Sequence, residues 1–142
     1  MRAMKMKTRL WRCTSTHLMG GYVGGVSLFA VDGTLHYEYS SLLLKREKIE
    51  VGKLPAGKVE IAFEMRTPLE RAASAKLKFW INGKEAAEGT VERSIPLAFT
   101  ASETFDVGMD TLSPVADAYF EKAPFAFEGK LKRLHFKNLK AE

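Results

Sequence analysis

The side chains able to do chemistry are few and scattered. Cys13 is the single cysteine. Only Arg12 stands close enough in sequence to lower its thiol pKa, so it reads as an incidental thiol rather than a nucleophile. With one cysteine no intrachain disulfide is available. His17, His36 and His135 show no ligand spacing among themselves or toward carboxylates, which excludes a histidine-based metal centre. Glu103 and Asp106 are three residues apart and flank Phe105, an unsuitable arrangement for paired carboxylates working across a cleft. Asp106, Asp110 and Asp117 admit two readings. Carboxylates on neighbouring loops can hold calcium together with backbone carbonyls. Asp106 stands before Gly108 and Asp117 in a turn, however, where aspartate satisfies local backbone N–H groups, and turn chemistry is the favoured reading. No catalytic residue, metal or cofactor is therefore expected.

Aromatic and charged residues on strand patterns are better candidates, as contacts. In 77–81, Leu77, Phe79 and Ile81 share one face and leave Lys78 and Trp80 on the other. An indole on the outer face can stack on a sugar ring, bury against a partner, or lie beneath the chain's own loops. Lys78 and Arg66 are charged outer positions of the same kind. Tyr37 and Tyr39 are alternative stacking aromatics for a glycan.

The elements carrying these residues are short strands between turn signals. Val26 to Val31 and Leu35 to Tyr39 flank Asp32-Gly33, and Leu77 to Ile81 and Lys84 to Val91 flank Asn82-Gly83. Both dipeptides suit the type I′ hairpin turn. Val59, Ile61, Phe63 and Met65 alternate with Glu60, Ala62, Glu64 and Arg66, the cleanest amphipathic strand. Ser40 to Val51 holds another strand or two, with 45–48 solvated, and Gly52 to Gly57 is a loop. Pro68 to Ser74 fits one helical turn, and Ser113 to Asp117 a capped one. Short strands are also expected around Leu97–Phe99 and Phe105–Gly108. Near the end, Leu131, Leu134 and Phe136 are spaced by three and then two, which predicts a bulge keeping all three inward. Many short strands with almost no helix predict an all-β fold, a two-sheet antiparallel sandwich, over 21–140. The length of 142 residues suits one domain.

Charge is distributed unevenly. Arg2, Lys5, Lys7, Arg9 and Arg12 account for five of the 22 basic residues, and the first 20 residues contain no acid. From position 21 onward 17 basic residues face 17 acidic ones, so the net charge of +5 resides in the N-terminal segment. Residues 1–20 are expected to form a flexible basic arm, and nucleic acid is excluded as a partner because the excess lies off the folded surface. No run approaches a secretory signal or the roughly 18 apolar residues of a membrane span.

The hairpin Gly25-Val26-Ser27-Leu28-Phe29-Ala30-Val31-Asp32-Gly33 with Leu35-His36-Tyr37-Glu38-Tyr39 resembles the opening of concanavalin-A-like and laminin-G-like sandwiches. Leu77 to Lys84 and Phe127 to Leu134 resemble two of their later strands. Three further blocks, Leu54 to Glu64, Gly89 to Pro96 and Glu103 to Val115, are similar to the C-terminal accessory region of bacterial arylsulfatases, and the likeness runs from about Gly20 to about Asn138. The Pro68 to Ser74 loop departs from the glycine-rich loop usual there. The resemblance implies a jelly-roll sandwich that packs on a sulfatase catalytic domain. It does not carry the chemistry: Cys13 is followed by Thr14, Ser15 and Thr16 rather than by the proline and arginine of the Cys/Ser-x-Pro-x-Arg motif that yields formylglycine. The expected role is a non-catalytic domain that packs on a sulfatase core or another protein surface. The alternative is a free-standing carbohydrate-binding module.

Overall fold

In the computed structural model both predicted hairpins turn through two positive-φ residues. Asp32 and Gly33 have φ of 49° and 75°, and Asn82 and Gly83 have 53° and 79°. These are the left-handed values that a type I′ turn demands and that Asx-Gly pairs supply at little steric cost. The structure describes residues 2–10, 17–21, 24–41, 45–68, 72–94, 105–106, 109–110, 125–126 and 130–138, with side chains in 24–41, 45–68, 72–94 and 132–135. Within them lie twelve strands and no helix. The strands are β1 (Arg2–Leu10), β2 (His17–Gly21), β3 (Gly24–Val31), β4 (Thr34–Ser41), β5 (Lys45–Lys53) and β6 (Gly57–Arg66). They continue with β7 (Ala75–Ile81), β8 (Lys84–Val91), β9 (Phe105–Asp106), β10 (Met109–Asp110), β11 (Phe125–Ala126) and β12 (Lys130–Asn138).

They form two five-stranded antiparallel sheets, ordered β12-β1-β6-β7-β8 and β5-β4-β3-β2-β9, and a small β10-β11 pair. The hydrophobic core draws on both large sheets. Leu28 of β3, Leu35 and Tyr37 of β4, Val59 and Ile61 of β6, and Leu77 and Phe79 of β7 are almost fully buried in one cluster. The Tyr37 ring lies 5.2 Å from that of Phe79 and 5.7 Å from that of Phe63. This is the sandwich-like, all-β layering that period-two alternation produces. The sheets meet along β5 and β8, where Gly89 gives room for the Ile49 side chain.

The N-terminal segment corrects the sequence reading. Residues 2–10, expected as a flexible arm, form β1, paired along its length with β6 on one side and β12 on the other. His17–Gly21 forms β2, between β3 and β9. The segment read as an arm because its alternation is carried by methionine and threonine against lysine and arginine, a weak hydrophobic signal. The register supplies what the pattern obscured: Met4, Met6 and Thr8 fall opposite Phe63, Ile61 and Val59, the core face of β6.

The predicted bulge near the C-terminus is found. The β1–β12 register shifts between Lys7 and Thr8, so that Lys132 is the extra residue and Leu131, Leu134 and Phe136 oppose Thr8, Met6 and Met4. Strands β4 and β5 run longer than expected, and β5 takes in Gly52 and Lys53, leaving 54–56 between β5 and β6. Ala72 has φ of 56°, a turn conformation rather than a helical one. The remaining turns and strands expected at 69–71, 95–100 and 111–120 lie outside the described residues.

Candidate functional site

The outer face of the β12-β1-β6-β7-β8 sheet gathers three of the five predicted contact residues. Inward positions of β7 are buried at Ala75, Leu77 and Phe79, while Lys76 and Lys78 are exposed and Trp80 is half-buried. Trp80 stands opposite Ala62 of β6 and Glu85 of β8. Lys78 stands between Glu64 and Glu88 in the same way. Its Nζ lies 3.6 Å from the carboxylates of both Glu85 and Glu88. Arg66, at the end of β6, pairs through Nε with Glu64. The indole is thus the one large apolar group on these outer positions of β6 and β7, and it lies beside the ion-paired Lys78 and Glu85.

Beyond Trp80 the sheet opens into a cleft. Ile81 is the last residue of β7 paired with β6, at Ile61, whereas β6 continues to Gly57 against β1. The gap is bridged by Asn82. Its backbone N–H donates to the Glu60 carbonyl at 2.7 Å, and its Oδ1 accepts from the Glu60 N–H at 2.8 Å. Lys58, Val59, Glu60, Asn82 and Gly83 line an open depression of about 310 Å³. Two charged side chains and an amide border it, a suitable set for hydrogen bonding a polar ligand.

Tyr37 and Tyr39 do not belong to any contact surface, and this expectation is corrected. Both lie on the core face of β4, with relative exposures of 0% and 2%. Alternation had already placed them beside Leu35; the error lay in reading tyrosine as a surface aromatic when its ring fills the core. Burial pushes the Tyr37 phenol well above its ordinary pKa, and the nearby Tyr39 and Glu47 push it further. Among the described residues its hydroxyl has no hydrogen-bond partner, nor has Oε2 of Glu47.

Glu38 was missed. It alternates onto the face of β4 opposite the tyrosines, yet it is 1% exposed. Arg46 Nη1 reaches its Oε1 at 3.3 Å and Lys48 Nζ reaches its Oε2 at 3.8 Å. Ser27 registers directly across from Glu38 and is also buried, as are Phe29 and Ser40 on that face. The Phe29 ring stacks on His36 at 5.5 Å. A charged pattern such as Lys45-Arg46-Glu47-Lys48 signals solvent in a sequence, and nothing in it marks Arg46 as the partner of a buried carboxylate. The arrangement is an ion-paired polar layer, held by three charges at once.

A second cluster closes the β5–β8 seam. Lys45 Nζ pairs with Glu92 and lies 3.8 Å from Glu47, and the Glu92 N–H donates to Glu47 at 3.3 Å. The hydrogen bond that Lys45 donates to the Glu92 carboxylate raises the Lys45 pKa. Among the described residues no three His, Cys, Asp or Glu side chains converge as metal ligands, and no helix is long and apolar enough to cross a membrane. Asp106 and Asp110 occupy the short strands β9 and β10, while Cys13 and Asp117 lie outside the described residues. A search of protein-family models and of curated proteins finds no match for the chain.

Proposed function

We propose that this chain is a non-catalytic jelly-roll sandwich of the concanavalin-A-like kind that docks through the outer face of its β6-β7-β8 sheet on a protein surface, in its most specific form a sulfatase catalytic domain. One observation carries the docking face: Trp80 is a half-buried ring beside the ion pairs that Lys78 makes with Glu85 and Glu88. Interface anchors have this character, an aromatic ring inside a polar rim that needs no opposite charge from the partner. The sulfatase partner rests on the sequence blocks at 54–64, 89–96 and 103–115. The test mixes the purified chain with an arylsulfatase catalytic domain lacking its own C-terminal region. The melting temperature of the chain should rise with partner concentration, and Trp80→Ala should abolish the rise. An unchanged melting temperature at saturating partner counts against the reading.

A second reading is favoured by the cleft. Trp80 stands one register step from Glu60 and Asn82, so a sugar ring stacked on the indole would meet Lys58, Glu60 and Asn82 as hydrogen-bonding groups. A glycan array that registers the wild-type chain and not Trp80→Ala would select this carbohydrate-binding function. Hydrolysis of a sulfate ester by the chain alone would contradict both readings.

A further inference from the structure

The pairing of β1 with β12 changes the meaning of the basic residues at the N-terminus. Directly opposed residues of antiparallel strands share a face. Since Met4, Met6 and Thr8 register with the core face of β6, the alternate positions of β1 belong to the outer face. Across these positions the register sets Ala3 against Lys137, Lys5 against His135, Lys7 against Arg133 and Arg9 against Lys130. Four rungs of two neighbouring strands thus hold six lysines or arginines and a histidine, with no carboxylate on either strand. On the β6 side the same rungs continue through Glu64, Ala62, Glu60 and Lys58, so that one carboxylate, Glu60, faces Lys7 and another, Glu64, is shared with Arg66, and the cations of the three strands remain in excess.

Like charges set directly opposite one another disfavour a sheet, and between β1 and β12 no rung brings a carboxylate to offset them, so a bound anion would favour this pairing. Lysines on β12 alone would be explained as protection of an edge strand. That explanation fails for β1, which is an interior strand. The ladder is also a track: rungs repeat every two residues, about 6.8 Å, over roughly 20 Å of strand. Arg133 and His135 are both exposed and alternate on this face of β12. Guanidinium and imidazole are planes on which nucleobases stack, and the rungs beneath them supply charge for a phosphate backbone.

We propose that the outer face of the β1–β12 pair binds single-stranded nucleic acid, its backbone running along the lysine and arginine rungs and its bases stacking on Arg133 and His135. This surface lies on the other side of β6 from Trp80 and does not depend on the docking proposed for that residue. The reason for excluding nucleic acid, that the excess charge lies on an arm outside the fold, does not hold once the arm is a strand.

The test titrates the full chain into a fluorescein-labelled 12-nucleotide oligo-dT and follows anisotropy from 50 to 200 mM salt. With about four phosphates neutralised, the affinity should fall about 50-fold over that range. Arg133→Glu, on an exposed side chain, should weaken binding about tenfold or more at low salt, and Lys7→Glu likewise. Lys84→Glu makes the same change in net charge at an exposed position of β8 and should leave the affinity within about twofold. If Lys7→Glu does not fold, Arg133→Glu combined with Lys130→Glu decides in its place. Salt-independent binding or none overturns the proposal, and so does equal weakening by Lys84→Glu. Tighter binding of a sulfated oligosaccharide of equal charge overturns it as well, by assigning the ladder to glycans.

Discussion

On β4 the outward positions Glu38 and Ser40 are as buried as the tyrosines of the core face, whereas on β7 the outward Lys76 and Lys78 are exposed and Trp80 is half-buried. Both strands sit inside five-stranded sheets and both alternate. The difference is that β3 and β4 are covered on both faces and β6 and β7 on one. A charge on the covered face must carry its partners with it, as Glu38 does with Arg46 and Lys48. A charge on the open face has water as well as neighbours, and its ion pairs decide little about stability. Strands β3 and β4 are therefore buried on both faces, whereas β6 and β7 keep one face open to solvent.

The largest test of that contrast removes a partner from the covered face. Arg46→Met removes the nearer of the two cations paired with the buried Glu38, and should destabilise the fold by about 3 kcal/mol in urea unfolding. A loss below about 0.5 kcal/mol would mean that Glu38 reaches water and that the two faces are alike. Next in size is the seam that joins the sheets. A Cβ added at Gly89 would overlap Ile49 Cδ1 and lie 3.0 Å from Cγ1. Gly89→Ala should therefore cost about 2 kcal/mol, and Ile49→Val in the same chain should recover part of it.

A smaller effect of opposite sign is expected in the core. The Tyr37 hydroxyl is buried without a partner among the described residues, so Tyr37→Phe should stabilise by about 1 kcal/mol. It should also change the alkaline behaviour. A phenol with a raised folded pKa keeps its proton where the unfolded chain has lost it. Its contribution is complete below the ordinary value of 10.0 and declines as pH rises above it. The decline approaches about 1.4 kcal/mol per pH unit, and urea melts between pH 9 and 11 should show it flattened in Tyr37→Phe.

What the sequence made legible follows from where the signal is local. Asp32-Gly33 and Asn82-Gly83 fix their turns through their own φ preferences, and 59–65 and 77–81 fix their faces through alternation. The 131-134-136 spacing located the bulge for the same reason. The position of β1 was hidden because it depends on two strands more than fifty and a hundred residues away, and its own pattern sets methionine against lysine. Glu38 was hidden because burial of the second face of β4 is a property of what covers it. Of the candidate site, Trp80, Lys78 and Arg66 were legible from period two, while the cleft at Asn82 arises from the unequal lengths of β6 and β7.

The smallest expected effect sharpens the comparison most. Lys78 reaches Glu85 and Glu88 at the same 3.6 Å, and about half of its side chain is exposed, as is that of Glu85, while Glu88 is more exposed still. Geometry alone would make this triad the equal of Glu38 with Arg46 and Lys48. Solvent separates them: in water each of the three charges keeps most of its hydration, and ordering the long side chains offsets much of the attraction. Lys78→Met should therefore change unfolding stability by no more than about 0.5 kcal/mol, with an effect that shrinks further as salt rises. If the β6-β7-β8 face docks a partner as proposed, the same substitution should still weaken the complex, because Glu85 and Glu88 would enter the interface beside Trp80 without their cation. Stability and binding would then part company at one residue, which Arg46→Met on the covered face cannot do.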